Sequence, residues 1–305
     1  MVSVDQLGFE GMPRRLFAAT PSRLNTWLDC PRRYRMTYVD RPPPRKGAPW
    51  AHNSLGASVH NALAGWWRLP AGQRTPEAAG RLLVTGWISD GYRDEMQSRE
   101  VREQARDWVA HYVETLDPYD EPLGVERIVA TRTETLAVSG RIDRLDGRGG
   151  ELVVVDYKTG RHLLSTDDAR GSLALALYAL AAERTLRRSC RRVELHHVRS
   201  GTVVSWEHQP ESLRRHLGRA EEIAAECAAA EAAAAEAGWI DKPGGSRPPT
   251  GWRVPGQPAH SGPVPPEIDA LFPPRVDTQC GWCDFRANCP EGSARYPAND
   301  PWAGV

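Results

Sequence analysis

The sequence lacks any long apolar run and any excess of charge of one sign. No stretch of about 18 or more apolar residues occurs, so no membrane-spanning helix is expected. The N-terminus MVSVDQLGFEGMPRR lacks the apolar centre of a secretory signal, and we therefore expect a cytoplasmic protein. Basic and acidic residues number 39 each, which excludes a polybasic protein whose whole surface attracts phosphate.

Basic residues nevertheless concentrate in one N-terminal segment. Between Arg14 and Lys46 only Asp29 and Asp40 oppose the positive charges, which belong to Arg14, Arg15, Arg23, Arg32, Arg33, Arg35, Arg41, Arg45 and Lys46. A second cluster comprises Arg187, Arg188, Arg191 and Arg192. A charge run of this kind is either a solvated face or a local phosphate-binding patch, and charge alone favours neither.

Cysteine is the most informative scarce residue. Six cysteines in a cytosolic chain indicate metal ligation more than a disulfide framework. Three lie in CGWCDFRANCP, namely Cys280, Cys283 and Cys289, and a four-thiolate site needs one more ligand. Cys227 lies in an Ala-rich stretch and Cys190 between arginines, so Cys30 in LDCPRRY is favoured. The spacing suits structural zinc as well as an iron–sulfur cluster.

Periodicity predicts one domain over residues 1–305 with five consecutive segments. Residues 20–53 form a Cys- and Arg-rich segment with a helix beginning near Ser22 and interrupted at Cys30-Pro31, and residues 54–118 form a helical insertion before any strand. Residues 126–237 read as strands, a buried helix, a hairpin across Ser200-Gly201 and an Ala-rich helix ended by Gly238. A Pro/Gly-rich irregular loop (238–276) and the cysteine cluster (277–292) follow.

Acidic residues and a lysine mark the ends of two predicted strands. In VVVDYKTG an apolar strand closes on Asp156 and Lys158, which project from the same face because side chains alternate along a strand. A neighbouring strand can bring Asp143 of SGRIDRLD alongside. Two carboxylates about 4 Å apart repel by about 4 kcal/mol at an effective dielectric of about 20, so they stay ionised together only around a cation. Their oxygens suit Mg²⁺ or Mn²⁺, and the chemistry indicated is phosphodiester hydrolysis.

These motifs resemble those of PD-(D/E)XK nucleases of the RecB type. Gly-x-x-Asp from Gly140 to Asp143, followed by DYKTG, is similar to that family's second and third motifs. CPRRYRMTYV resembles its N-terminal Cys-Pro segment, LGASVHNAL its histidine-bearing helix, and CGWCDFRANCP its C-terminal cysteine triplet. The resemblance runs from about Ser22 to Gly292. It implies a restriction-endonuclease-like α/β core with a central mixed sheet flanked by helices, an N-terminal helical insertion and a C-terminal cysteine staple.

The resemblance also implies roles for single residues. Lys158 is the implied catalytic lysine, and Glu126 matches the family's first acidic position, with Glu134 as a competitor. The implied ligands of Mg²⁺ or Mn²⁺ are His60, Asp143, Asp156 and the Tyr157 carbonyl. Cys30, Cys280, Cys283 and Cys289 resemble the ligands of the 4Fe-4S cluster in AddB-type and CRISPR-adaptation nucleases.

One departure from the family pattern concerns the helix after the active-site strand. The family's Gln-x-x-x-Tyr appears here as Ala174 and Tyr178, so a polar contact to the DNA is missing while Tyr178 remains as a catalytic candidate.

The function implied is a metal-dependent exonuclease or flap-type nuclease on single-stranded DNA ends in repair or recombination, with DNA entry lined by Arg23, Arg32, Arg33 and Arg35. No Walker A loop is present, so any unwinding must come from another chain, such as a helicase or repair complex, or from fraying ends. Two alternatives are a non-catalytic DNA-binding or scaffold module that keeps the fold, and a structural zinc protein.

Overall fold

The computed structural model describes residues 16–240 and 263–305. Arg14, Arg15 and residues 241–262 of the predicted irregular loop lie outside the described residues. The part of that loop which is described contains a short helix, Pro266–Leu271, so the prediction of an irregular loop over the whole of 238–276 is wrong at this point. None of the helices in the described ranges is both long and apolar enough to span a bilayer.

A mixed sheet of six strands forms the centre of the described fold, and this confirms the predicted fold class. The strands are β1 (Phe17–Ala19), β2 (Gly124–Arg132), β3 (Leu136–Arg148), β4 (Glu151–Lys158), β5 (Cys190–His197) and β6 (Thr202–Glu207). The order β1-β3-β4-β5-β6 follows the hydrogen bonds, and β2 pairs with the other side of β3. The β1–β3 and β4–β5 pairs are parallel, and the β2–β3, β3–β4 and β5–β6 pairs are antiparallel.

Strand β1 precedes the helical segment, so the prediction that helices come before any strand is wrong. Its three residues, Phe-Ala-Ala, carry no alternation of apolar and polar side chains. They become a strand because β3 offers a free edge, where Phe17 pairs with Leu136 and Ala19 with Val138. Tertiary pairing here decides a conformation that local propensity leaves open.

The apolar run of β4 reflects cover on both faces of the sheet. Val153 and Val155 pack with the N-terminal helices, whereas Leu152 and Val154 pack with the helix that follows the strand. A strand covered on both sides has no polar face, so its sequence does not alternate. The turn before it uses Gly149 and Gly150, both with positive φ, which a glycine adopts without steric cost.

The first helices begin and end close to the predicted points. Helix α1 (Pro21–Asp29) is capped by Thr20, whose side chain accepts from the Arg23 amide, so the cap lies two residues before the predicted Ser22. Cys30 is extended and separates α1 from α2 (Pro31–Tyr34), as predicted. A π-helical turn, Arg35–Val39, follows.

The remaining helices cover the two faces of the sheet. One face carries α3 (Ala51–Trp67), α4 (Pro76–Thr85) and α5 (Glu95–Glu114), which is the predicted helical insertion. The other carries α6 (Thr166–Gly171), α7 (Leu173–Leu186) and α8 (Pro210–Glu236), and Gly238 follows α8 with positive φ. Helix α9 (Pro266–Leu271), two 3-10 turns (Thr278–Trp282 and Arg286–Asn288) and α10 (Pro290–Arg295) complete the described chain.

Buried ion pairs join the N-terminal segment to α9 and α10. The guanidinium of Arg32 contacts Asp269 and lies 2.6 Å from Glu291 Oε2. Arg35 Nη1 lies 2.7 Å from Asp269 Oδ1, and its Nε lies 3.3 Å from Asp40 Oδ2. Both arginine side chains are at most 7% exposed. Asp269 therefore serves two buried cations that each need a charged partner.

We expect Asp269→Ala to lower the free energy of unfolding by about 2–3 kcal/mol, because it removes a partner from two buried guanidinium groups. Asp29→Ala is the matched control, since Asp29 is half-exposed and lies 3.8 Å from exposed Arg33. Its cost should stay below about 1 kcal/mol, as for other exposed pairs. Urea denaturation of both variants tests this, and equal losses would contradict the assignment.

Candidate active site

Two carboxylates face each other across strands β2 and β3. Val125 pairs with Arg144 and Arg127 with Ile142, so the intervening Glu126 lies opposite Asp143. Glu126 has φ +52°, a left-handed backbone conformation that is uncommon outside glycine. Like charges directly opposite on a sheet are destabilising, and a strained backbone position of this kind is typical of functional sites.

Asp156 and Lys158 end the neighbouring strand β4. Lys158 Nζ lies 2.6 Å from Asp156 Oδ2 and forms an ion pair with it. The angles of this contact do not suit a hydrogen bond, so the buried oxygen has no hydrogen-bond donor. The backbone after Asp156 is fixed by β5, because the Val198 amide donates to the Lys158 carbonyl at 2.9 Å. The strand end therefore presents a carboxylate and an ammonium group side by side.

His60 of α3 and the Tyr157 backbone lock Asp143 into the site. His60 Nδ1 lies 3.2 Å from Asp143 Oδ1, and its Nε2 donates to the Tyr157 carbonyl at 3.1 Å. The Tyr157 amide donates to Asp143 Oδ2 at 2.9 Å. Helix α3 and strands β3 and β4 thus meet at one point.

The charged groups of the site shift the pKa values of Asp156 and His60. Burial raises the pKa of Asp156, against the opposing charge of Lys158, and the negative charge of Asp143 raises it further. Burial lowers the pKa of His60, but the hydrogen bond and charge of Asp143, with the charge of Asp156, outweigh burial and raise it overall. Asp143, Asp156, Lys158 and His60 are thus close enough to shift one another's charge states.

The donor set fits a divalent cation. Ligand atoms of His60, Glu126 and Asp143 all lie within 4.8 Å of one another. Asp156 adds a buried oxygen with no hydrogen bond, and the Tyr157 carbonyl points at His60. Carboxylate and carbonyl oxygens with one imidazole are ligands that Mg²⁺ and Mn²⁺ accept. Glu134, the competitor of Glu126, lies exposed in the β2–β3 turn.

Tyr178 of α7 lies directly on strand β3 at Gly140. A Cβ atom at Gly140 would stand 2.4 Å from Tyr178 Cε1, so only glycine admits the ring. Burial, with the charges of Asp156 and Asp143, raises the pKa of Tyr178 to about 12. The glycine of Gly-x-x-Asp thus places the tyrosine beside both carboxylates, whereas Ala174, one helical turn earlier, offers no polar group.

Three of the four arginines predicted to bind DNA are engaged inside the protein. Arg32 and Arg35 are buried in the ion pairs described above, and Arg23 is paired with Glu231 and donates to the Tyr34 hydroxyl at 2.8 Å. Arg33 keeps a side chain that is 37% exposed. This placement argues against DNA contact by Arg23, Arg32 and Arg35, because a guanidinium paired with a carboxylate inside the fold is not free to bind a phosphate as well.

The four cysteines predicted as cluster ligands come together despite their separation in sequence. One small cavity is lined by Cys30, Cys280, Cys283 and Cys289, with Arg32 and Arg33 beside them. The Arg275 amide lies 3.4 Å from Cys30 Sγ, and Gly292 packs against Cys280 and Cys289. The other two cysteines, Cys190 and Cys227, are buried in separate parts of the apolar core.

One family model matches most of this chain. The model of the PD-(D/E)XK nuclease superfamily covers residues 18–290. The chain belongs to the PD-(D/E)XK nuclease superfamily. No curated protein matches it. A solved structure of a candidate exonuclease from Eubacterium rectale is similar at 10% identity and a TM-score of 0.45, over 73% of this chain and 82% of that one.

Two contacts of this PD-(D/E)XK site were not predicted from the sequence. His197 of β5 donates from Nε2 to the Gly160 carbonyl at 2.7 Å, which fixes the loop just after Lys158. Arg141 Nε lies 2.8 Å from Glu126 Oε2, although the arginine side chain is 68% exposed. A signal for Arg141 was present, since it precedes Asp143 by two residues and therefore shares its face of the strand.

We expect Gly140→Ala to destabilise the protein by about 1–3 kcal/mol, because the new methyl group overlaps the Tyr178 ring. The cost should largely disappear in a Tyr178→Ala background, where the space is free. Gly218→Ala is the control: Gly218 lies in α8 with nothing within 4 Å of its missing Cβ, so alanine should stabilise the helix by up to about 1 kcal/mol. Urea denaturation midpoints report all four variants. A cost that persists without the Tyr178 ring would refute this origin.

Proposed function

We propose that this PD-(D/E)XK protein is a Mg²⁺- or Mn²⁺-dependent deoxyribonuclease that removes nucleotides from single-stranded DNA ends in repair or recombination. The observation that carries the proposal is the convergence of Glu126, Asp143, Asp156, Lys158 and His60 at one edge of the sheet. Such a set has no role in packing, since unneutralised carboxylates repel one another.

The chemistry follows from the groups present. His60, Glu126, Asp143, Asp156 and the Tyr157 carbonyl would hold the cation, which activates water and offsets charge on a phosphoryl oxygen when bound. Lys158 keeps its ammonium half-exposed beside Asp156, where it can orient the attacking water or neutralise charge that develops on the phosphate. Tyr178, which lies near Asp143 and Asp156, would contact the DNA backbone.

The preference for single-stranded ends rests on the resemblance to RecB-type exonucleases. That resemblance includes the cysteine-bearing ends of the chain, which lie together in the fold. Exposed Arg33 beside them supplies positive charge for a strand. Because the sequence carries no Walker A loop, a helicase or a repair complex would act as the partner that separates the strands.

A non-catalytic DNA-binding module is the second candidate. Ala174 favours it, because the family's glutamine at this position would supply a polar contact that is missing here. Against it stands the complete set of acidic groups and Lys158, which a purely structural role does not require. Activity measurements separate the two.

We expect the wild-type protein to degrade end-labelled linear single-stranded DNA with Mg²⁺ or Mn²⁺ and to spare circular single strands. Lys158→Ala and Asp156→Ala should reduce turnover by at least about a hundredfold with little change in thermal stability, because both groups serve charge in the transition state. Asp143→Asn should be partly rescued by high Mn²⁺ through mass action.

The acidic site is tested by comparing two glutamates of the same region, Glu126 and its control Glu134. Glu126→Gln should lose most activity, whereas Glu134→Gln, in the exposed turn, should behave as wild type. Full turnover in Lys158→Ala would show that Lys158 is not catalytic. A wild-type protein that binds DNA without cleaving it would leave the DNA-binding candidate, and cleavage of circular strands would replace the exonuclease with an endonuclease.

We further propose that Cys30, Cys280, Cys283 and Cys289 hold a 4Fe-4S cluster. Tetrahedral zinc, with bonds of about 2.3 Å, needs sulfurs about 3.8 Å apart. Within residues 16–240 and 263–305, no three of these sulfurs lie within 4.8 Å of one another. The wider separation favours a cluster, whose thiolates bind different irons. The resemblance to AddB-type nucleases points the same way.

Protein purified without oxygen should be brown and contain about four irons per chain. Cys30→Ser should lose the colour as fully as Cys280→Ser and should lower thermal stability, since metal binding contributes folding free energy and joins distant parts of the chain. The controls are Cys190→Ser and Cys227→Ser, which should keep the colour because both thiols lie in the apolar core. Zinc instead of iron, or colour that depends on Cys190, would disprove the cluster.

A further inference from the structure

Arg141 is an exposed cation inside an acidic site. It precedes Asp143 by two residues in β3, so both side chains project from the same face of the sheet. Its side chain is 68% exposed, and its Nε lies 2.8 Å from Glu126 Oε2. Throughout the described chain, residues 16–240 and 263–305, Arg141 makes no other ion pair. Its one partner is therefore a candidate metal ligand.

We propose that Arg141 is a DNA-binding residue with two alternative partners, Glu126 in the free protein and a phosphate of the DNA strand in the complex. The inference rests on the proposed nuclease function and deepens it by naming the group that holds the substrate. In this proposal Arg141 does not stabilise the fold, and its salt bridge with Glu126 is not permanent.

Competition for one carboxylate separates Arg141 from Glu126. The Glu126 oxygen belongs to the group of ligand atoms, with His60 and Asp143, that lie within 4.8 Å of one another. A divalent cation bound there and the guanidinium are both positive, and both would pair with the same carboxylate group. An ion pair as exposed as this one is weak, so the guanidinium yields and is left free beside the site.

Phosphate is the natural second partner for the released side chain. The planar guanidinium matches two phosphate oxygens with two parallel hydrogen bonds, which an ammonium cannot do. Tyr178 packs against Gly140, the residue before Arg141, and the charge of Arg141 acts to lower the tyrosine pKa against its overall rise, so the two groups lie near each other. Ala174 of α7 offers no amide like the family's glutamine here. Arg141 therefore supplies, from the strand, a grip that the helix lacks.

The first arm of the test measures metal without DNA. Mn²⁺ binding followed by calorimetry should be about two- to fivefold tighter in Arg141→Ala than in the wild type, because the competing cation is gone. Arg132→Ala is the matched control: Arg132 is exposed on β2, six residues beyond Glu126, and makes no ion pair with the described residues. Unchanged or weaker Mn²⁺ binding in Arg141→Ala would refute the competition.

The second arm measures DNA without cleavage. In Ca²⁺, the affinity for a fluorescent single-stranded oligonucleotide should fall about fivefold or more in Arg141→Ala, and the salt slope should flatten by about 0.7 for one lost phosphate contact. Arg141→Lys should keep the slope and lose part of the affinity, since the charge remains without the fork. Arg132→Ala should bind as wild type, and equal losses in both variants would overturn the assignment.

The two proposals fail in distinguishable ways. If the wild type cleaves DNA but Arg141→Ala binds Mn²⁺ and DNA normally, the nuclease function stands and the role of Arg141 is wrong. If the wild type does not cleave, the binding comparison still decides whether Arg141 holds DNA. Thermal denaturation of each variant checks the fold, and at this exposure no loss of stability is expected.

Discussion

The two oxygens of the Asp143 carboxylate connect three elements of this protein. One lies against His60 on α3, and the other accepts from the Tyr157 amide at the end of β4. Glu126 sits across from the same residue on β2. The carboxylate of Asp143 therefore fixes the positions of α3, β4 and β2 relative to β3. A shift of any of these elements would move the groups of the candidate site.

Charge balance explains how three carboxylates can lie close together at this site. Arg141 neutralises Glu126 and Lys158 neutralises Asp156, while His60 is drawn towards its charged form by Asp143. Each carboxylate thus has a basic neighbour, which comes from its own strand, an adjacent strand or helix α3. Those neighbours are at least partly exposed, so their pairs are weak and can be exchanged for stronger ligands.

Much of this arrangement could be predicted from the sequence, because it depends on local patterns. The strand ending in Asp156-Tyr157-Lys158 and the hairpin at Ser200-Gly201 both appear where expected. Strand β1 could not be predicted, because three residues without alternation become a strand only by pairing with β3. The burial of Arg32 and Arg35 could not be predicted either, because their partner Asp269 lies more than 230 residues away. A run of arginines has the same sequence pattern whether it is buried or lies on a solvated face.

The buried ion pairs of the N-terminal segment have a consequence for the order in which the chain can fold during synthesis. Arg32 and Arg35 are made early, but Asp269 and Glu291 leave the ribosome only after the whole sheet has been made. Until then, burying the two guanidinium groups without their partners would cost free energy, so the segment stays solvated while the rest of the core forms. The residues of the candidate metal site, by contrast, all precede α8. A nascent chain can therefore assemble this site first and bring its cysteine-bearing ends together last.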